Sequence, residues 1–290
     1  MTTVGANSRF HWPEYLMEGL GLGLFMVSAC ALGVLLGHPA SPVVHALPSP
    51  FGRRAMMGLA MGVTAVALIH SPWGRRSGAH LNPAVSLTFW SLGRAPGRDV
   101  AGYALGQFAG AAAGTMLSSA LLGRALADPA VRYVVTVPGP GGPALAFAAE
   151  AVISLGLMLT VLATSHTPRL ERHTPLFAGG LIALWILLES PLSGTSMNPA
   201  RTTGSAIVAH DASALWVYFL APPLGMLAAA EIYLRWRGAA RVFCAKLLHP
   251  ASARCIFCEA REARAARHEP SPSPYPIREP SARPGHSMPA

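Results

Sequence analysis

SGAHLNPAVSLTFW, residues 77–90, and SGTSMNPARTTGSAIV, residues 193–208, are two copies of one local design. Each has Ser-Gly, then Asn-Pro-Ala, then a short apolar run. Asn82 and Asn198 suit the position that caps a helix. Pro83 and Pro199 suit the first helical position, where a missing N–H costs nothing. From Pro83 to Ser91 is nine residues, or about 13.5 Å at 1.5 Å per residue, close to half the ~30 Å of a bilayer's hydrocarbon core. One Asn-Pro pair alone reads as an ordinary turn or helix start. Two in matched settings read as a pair of half-helices.

The flanks repeat as well. EGLGLGLFMVSACALG from Glu18 and EAVISLGLMLTVLATS from Glu150 each open with a glutamate just inside an apolar run. Six such runs are candidate spans: Tyr15 to Leu36, Ala55 to His70, Val100 to Leu122, Ala144 to Ser165, Pro175 to Leu188 and Ala214 to Leu234. The second and fifth fall short of the roughly 20 residues a crossing needs and require flanking residues to complete them. All are helical candidates, because unpaired backbone in lipid is too costly for irregular structure. Each half of the chain therefore holds three full spans and one partial segment. An odd number of crossings inserts the second half upside down, so the predicted architecture is an all-α integral membrane protein, six transmembrane helices plus two half-helices in an inverted repeat. Gly58 and Gly62, and Gly106, Gly110 and Gly114, recur every four residues, a spacing that lets membrane helices approach closely.

Composition agrees. The 290 residues are 52% hydrophobic and 12% charged, with a mean hydropathy of +0.40, which excludes an average soluble enzyme. Of the 22 basic residues, ten lie from Arg235 onward against four acidic ones. With both termini cytoplasmic, the inner segments carry most of the arginines, which predicts an inside N-terminus and an even number of spans. Nucleic acid is not expected, since no basic stripe interleaved with aromatics is present. The N-terminus lacks a signal-peptide pattern, so the first apolar run is read as a retained span. The domain reading is a cytoplasmic N-terminus at 1–13, a channel-like domain at 14–236 with halves 14–122 and 144–236, and a basic, Pro-rich, mostly disordered cytoplasmic tail at 237–290.

On the paired Asn-Pro-Ala boxes and the repeated glutamates, the chain resembles the aquaporin, or major intrinsic protein, family over about residues 14 to 236. The resemblance implies a passive, cofactor-free pore for water or a small uncharged solute, assembled as a homotetramer in lipid. It places Asn82, Pro83, Ala84, Asn198, Pro199 and Ala200 at the pore centre. If each Asn carbonyl caps its half-helix, the amide NH2 is left free to donate into the pore. A central water is then forced to accept, which breaks a proton-conducting chain, and the two half-helix dipoles penalise cations. Arg201, a lone charge in a membrane domain, is similar to the arginine of the family's outer constriction. The other constriction positions carry over as Thr195, Ile186 and Met61, with Gly62 the competitor of Met61.

The strictest water channels resemble one another in having His at the position of Ile186 and an aromatic at that of Met61, so this chain implies a wider constriction. Thr202, Ala206, Tyr218 and Phe219 resemble water channels instead. The substrate reading is thus water with small neutral solutes such as glycerol, ammonia, hydrogen peroxide or a metalloid acid, to the exclusion of protons and ions. Glu18 and Glu150 are read as braces for the loops carrying the boxes, and His80 as a third brace. Glu189, near the end of the fifth span, is a candidate vestibule residue. An ion-coupled secondary transporter would need more coupling groups than Glu18, Glu150 and Arg201 supply. A non-conducting structural protein on the same scaffold is the other alternative. No nucleophile-and-base pair at membrane depth suggests an enzyme.

The tail carries Cys255-Ile-Phe-Cys258 with Cys244, His249 and His268 nearby, ligands enough in principle for zinc. The spacing is incomplete and the setting of low complexity, so the sequence reading assigns no metal and takes free thiols or palmitoylation instead. Twenty-one arginines against one lysine suit a GC-rich genome, and a bacterial inner membrane is the expected location.

Overall fold

Local capping chemistry sets where the second span and the two half-helices begin. Ser49 Oγ accepts from Gly52 N at 3.2 Å and Pro50 takes the first helical position, so the second span starts five residues before its apolar run. At the other short span, the helix runs through Pro191 to Ser193 and stops where Gly194 turns left-handed at φ 83°. Both shortfalls in the apolar pattern are filled by helix whose backbone is satisfied internally.

The computed structural model describes residues 10–249 and 255–259. Its principal helices are α1 (Trp12–Gly37), α2 (Pro50–His70), α3 (Pro83–Ser91), α4 (Gly97–Leu122), α5 (Gly142–Ser165), α6 (Thr174–Ser193), α7 (Pro199–Ala209) and α8 (Leu215–Arg237). No strand occurs among the described residues. Six of these helices are long and apolar enough to cross a membrane, and the protein is an integral, multi-pass membrane protein. The half-helices α3 and α7 have 9 and 11 residues.

The packing follows the repeat. α1 lies along α4, its counterpart α5 lies along α8, and α2 meets α6. Half-helix α7 rests on α4 and half-helix α3 on α8. Close approach depends on bare backbone: a Cβ on Gly19 would sit 2.6 Å from Gly106 O, and one on Gly62 only 2.5 Å from Gly179 O. Neither distance is one a real side chain tolerates, and without a hydrophobic drive in lipid this contact is what holds such helices together. Large apolar side chains such as Leu16, Leu105 and Leu121 point outward and are mostly exposed. Polar ones such as Glu18, Gln107, Glu150 and Ser205 are fully buried, the reverse of a soluble protein.

Part of the tail is folded. Residues 238–249 and 255–259 lie over the base of α3, with Val242, Ala245, Leu247, Ile256 and Phe257 buried in the main apolar cluster beside Phe89, Tyr103 and Tyr233. The composition of the whole tail hides this, because two short apolar patches, 242–248 and 255–258, are diluted by Arg, Pro and Ser. The disorder expected of residues 250–254 and 260–290, His268 among them, falls outside the described residues, as do residues 1–9.

Candidate functional site

Two irregular loops carry the boxes, and both are built the same way. Gly78 (φ 105°) and Gly194 (φ 83°) turn the chain, after which Ala79, Leu81, Thr195 and Met197 all take positive φ between 49° and 55°. Left-handed backbone at such residues costs on the order of 1–3 kcal/mol each, so it persists only where the surroundings over-determine it.

The two glutamates do that. Glu18 accepts from Ser77 Oγ (2.6 Å), His80 N (3.1 Å), Leu81 N (2.5 Å) and Gln107 Nε2 (2.8 Å). Glu150 accepts from Ser193 Oγ (2.6 Å), Ser196 N (2.6 Å) and Met197 N (2.7 Å). A tyrosine closes each loop: Tyr103 OH donates to Ser77 O at 2.5 Å and Tyr218 OH to Ser193 O at 2.6 Å. Since the partners of each carboxylate are all donors, an anion fits both places, and each buried charge is met by hydrogen bonds rather than by a counter-ion.

Asn82 Oδ1 accepts from Ala84 N at 2.9 Å. Asn198 Oδ1 accepts from Ala200 N at 3.0 Å and Arg201 N at 3.2 Å. The amide groups differ from the sequence expectation, which left both hydrogens of each free. Asn82 Nδ2 donates to Met197 O at 2.6 Å and Asn198 Nδ2 to Leu81 O at 2.8 Å. One hydrogen of each amide thus ties the two halves together, because the left-handed Leu81 and Met197 offer their carbonyls to the opposite box. A single N–H per asparagine remains for anything in the cavity.

That cavity has a volume of about 310 Å³ and runs between the halves. Asn82, Asn198, Arg201, Thr195, Ile186 and Met61 all line it, as does His80. Gly62 does not line it, being turned toward Gly179. Pro83, Ala84, Pro199 and Ala200 form the first turns of the half-helices behind the asparagines, and Glu18 and Glu150 sit outside the wall.

At one end Arg201 Nη1 donates to Thr136 Oγ1, and Thr136 also meets Thr202 Oγ1 at 3.0 Å. Thr136 belongs to the connection between α4 and α5, a segment that an ion pair between Arg132 and Asp211 at 3.0 Å ties to the residues following α7. Hydrogen bonds from Ser213, and then Arg132, hold the Asp211 carboxyl below its ordinary range. Sequence reading missed Thr136, which belongs to no motif. Its only signal is spatial. Glu189 is another difference: instead of lining the cavity it accepts the Thr195 hydroxyl at 2.6 Å, bracing the second loop. At the opposite end the His80 ring reaches Ser86 Oγ (2.9 Å) and Ala245 O (2.7 Å), and Leu247 of the tail lines the cavity.

The geometry has known parallels. The family model described as Major intrinsic protein matches residues 6–233. Aquaporin NIP1-4 of Oryza sativa subsp. japonica is 40% identical over 178 residues, 61% of this chain and 63% of its own length. Aquaporin NIP3-1 of Zea mays is 37% identical over 200 residues, 67% of this chain and 63% of its own. Probable aquaporin AqpM of Archaeoglobus fulgidus is 39% identical over 190 residues, 61% and 74% of the two chains. The chain thus spans a little under two thirds of the length of both plant relatives. The X-ray structure of the aquaglyceroporin from Plasmodium falciparum matches with a TM-score of 0.59 over 76% of this chain and 94% of that one. Identity there is 21%, a likeness of fold.

Proposed function

The chain belongs to the major intrinsic protein family, and from that premise we propose that it is a passive channel for water and small uncharged solutes that excludes protons and ions. One observation carries the reading: a cavity of about 310 Å³ lined by the caps of two opposed half-helices, with Arg201 beside one of them. Asn82 and Asn198 each keep one N–H for the cavity, so a water between them accepts from both and turns its own hydrogens away. Each half-helix start carries roughly half a positive unit charge, which penalises a proton or metal cation at that point. Arg201 adds a full charge and further donors.

The constriction is formed by Arg201, Thr195, Ile186 and Met61. The Thr195 hydroxyl hydrogen goes to Glu189, so Thr195 offers the permeant only lone pairs, and Ile186 and Met61 offer an apolar wall. A half-polar, half-apolar ring of this kind passes water and tolerates a small molecule with a carbon face, glycerol among them. His80, Glu18 and Glu150 position the loops. Residues 14–236 constitute the channel, which assembles as a homotetramer in a bacterial inner membrane with both termini cytoplasmic.

Stopped-flow light scattering on proteoliposomes tests this. With an impermeant osmolyte, shrinkage is expected to be much faster than in empty liposomes; a glycerol gradient then gives slower but measurable re-swelling. Flux no faster than through lipid alone, from folded protein, would overturn the channel reading. Flux that vanishes when ion gradients are collapsed would replace it with coupled transport.

A further inference from the structure

Four side chains that the sequence spreads over fifteen residues meet at the tail end of the cavity. Cys244, His249, Cys255 and Cys258 each present one ligand atom, and all four atoms lie within 4.8 Å of one another. Cys244 Sγ is 3.4 Å from Cys255 Sγ, and Cys258 Sγ is 3.5 Å from His249 Nε2. In a tetrahedral zinc site with Zn–S near 2.3 Å, ligand atoms are about 3.8 Å apart, so the observed spread needs only small adjustments to surround an ion. The spacing C-x4-H-x5-C-x2-C contains one ordinary metal knuckle, the C-x2-C pair. Residues 256–259 make one helical turn there, with Glu259 N donating to Cys255 O at 3.0 Å. The sequence reading counted these ligands but assigned no metal, because the spacing is incomplete and the setting of low complexity; the fold brings the four together.

The surroundings suit a metal-bound thiolate. Lys246 N donates to Cys244 Sγ at 3.5 Å, an N–H that would orient the thiolate and stabilise its charge. Cys244, Cys255 and the adjoining Ile256 and Phe257 are buried, whereas His249 and Cys258 are partly exposed, which leaves an entry path. Three sulfurs and an imidazole select a soft, d10 divalent ion over calcium or magnesium. In the cytoplasmic orientation proposed above, the compartment is reducing, which favours metal ligation over a disulfide.

The position gives the site a consequence. Between the ligands Cys244 and His249 run Ala245, Lys246, Leu247 and Leu248. Ala245 O meets His80 Nε2 at 2.7 Å, Lys246 Nζ donates to Arg75 O at 3.0 Å, and Leu247 N donates to Gly78 O at 3.1 Å. Leu247 lines the cavity. Beside the C-x2-C pair, Phe257 stacks on the His80 ring at 5.5 Å with planes 4° apart. Every ligand therefore flanks a residue that touches the loop of the first box or lies close to one that does. We propose that Cys244, His249, Cys255 and Cys258 bind one zinc ion, and that this ion pins residues 242–249 and 255–258 as a cap over the tail-side mouth of the cavity. Metal loss unties the cap, since binding free energy in such small sites is largely folding free energy. The cap rests on the channel reading; the metal site does not.

The test uses full-length protein purified without chelator. Elemental analysis is expected to give one zinc per chain, falling to background in Cys255→Ser/Cys258→Ser and in His249→Ala. Cobalt substitution is expected to give the visible absorption of a tetrahedral thiolate site, absent from both variants. Size-exclusion profiles matching the wild type show that the variants are folded. Absent zinc and absent cobalt spectrum, or a Cys244–Cys255 disulfide in mass spectra of the purified protein, overturns the site. Zinc removed before reconstitution is expected to raise water flux several-fold, with Zn2+ restoring the lower rate in wild type and not in the variants. Stoichiometric metal with flux indifferent to its removal overturns the cap and leaves the channel. Stoichiometric metal with no flux in either form overturns the channel and leaves the metal site standing.

Discussion

The substitution Glu150→Gln separates bracing from proton relay. The carboxylate receives three donors, from Ser193, Ser196 and Met197, at 2.6, 2.6 and 2.7 Å. In the amide, one oxygen can keep Ser193 and Ser196, but Nε2 is left facing Met197 N–H, donor against donor. One hydrogen bond is lost, its donor is orphaned, and two bonds to a charge become neutral ones. The amide is also cheaper to bury than the ion, so the expected net cost is about 2–4 kcal/mol. Glu18→Gln provides the internal control. Its fourth donor is Gln107, whose Oε1 has no partner among the described residues. If the Gln107 amide flips, that oxygen accepts from the new Nε2, recovering about 1 kcal/mol. The expected order is therefore Glu150→Gln more damaging than Glu18→Gln, with the difference abolished when Gln107→Leu is added to both. Thermal unfolding and monodisperse yield in detergent measure it, alongside water flux per folded chain. Equal or reversed costs would refute the hydrogen-bond argument. Normal stability at Glu150→Gln with lost flux would convert the brace into a relay.

Arg201→Val removes the guanidinium beside the second box and leaves the Thr136 hydroxyl without that donor; glycerol entry and some cation leak should rise, and an unchanged solute profile would take Arg201 out of the filter. Ile186→His puts a donor and extra bulk opposite the polar wall, so the ratio of glycerol to water flux should fall, and a constant ratio would mean that Ile186 does not face the permeant. Gly19→Ala forces a methyl to within 2.6 Å of Gly106 O, pushing α1 off α4 at a cost of roughly 1–3 kcal/mol; unfolding at the wild-type temperature would show that the interface yields.

What the sequence made legible is chemistry complete within a few residues and then written twice. Asn82 with Pro83 and Asn198 with Pro199 fix a helix start from adjacent positions, and Glu18 and Glu150 stand out because the same letter recurs at the same place in both halves. Thr136 was illegible because its meaning lies in Arg201, 65 positions away, and a lone threonine in a loop predicts nothing. The second partner of each asparagine was illegible for a related reason: the acceptors are backbone carbonyls of the opposite loop, exposed by left-handed residues that no propensity assigns to Leu81 or Met197. The tail ligands were legible as residues, but their convergence was not, because folding rather than spacing brings Cys244 and His249 to the C-x2-C pair.

The two loops match hydrogen bond for hydrogen bond at Ser77 and Ser193 and at Leu81 and Met197, and they part at the residue two before each asparagine. His80 keeps one ring nitrogen on Ser86 of the half-helix but reaches with the other to Ala245 O and stacks on Phe257, so the first loop is coupled to the tail. Ser196 in the same place is too short to leave the loop; its hydroxyl stays on Thr202, which meets Thr136 and through it Arg201. A strict duplicate with serine at both positions would keep only the backbone bond from Leu247 N to Gly78 O between this loop and the tail, and one with histidine at both would crowd the arginine's acceptor. This difference helps assign the ends: one becomes a charged filter and the other a seat for the cap. Replacing His80 by Ser should release the Ala245 and Phe257 contacts while leaving the Glu18 bonds in place, since none of them comes from the His80 side chain. If hydrogen exchange around residues 242–249 is unaltered in that variant, the tail is held by its own burial and the division of labour between the loops is not set at this position.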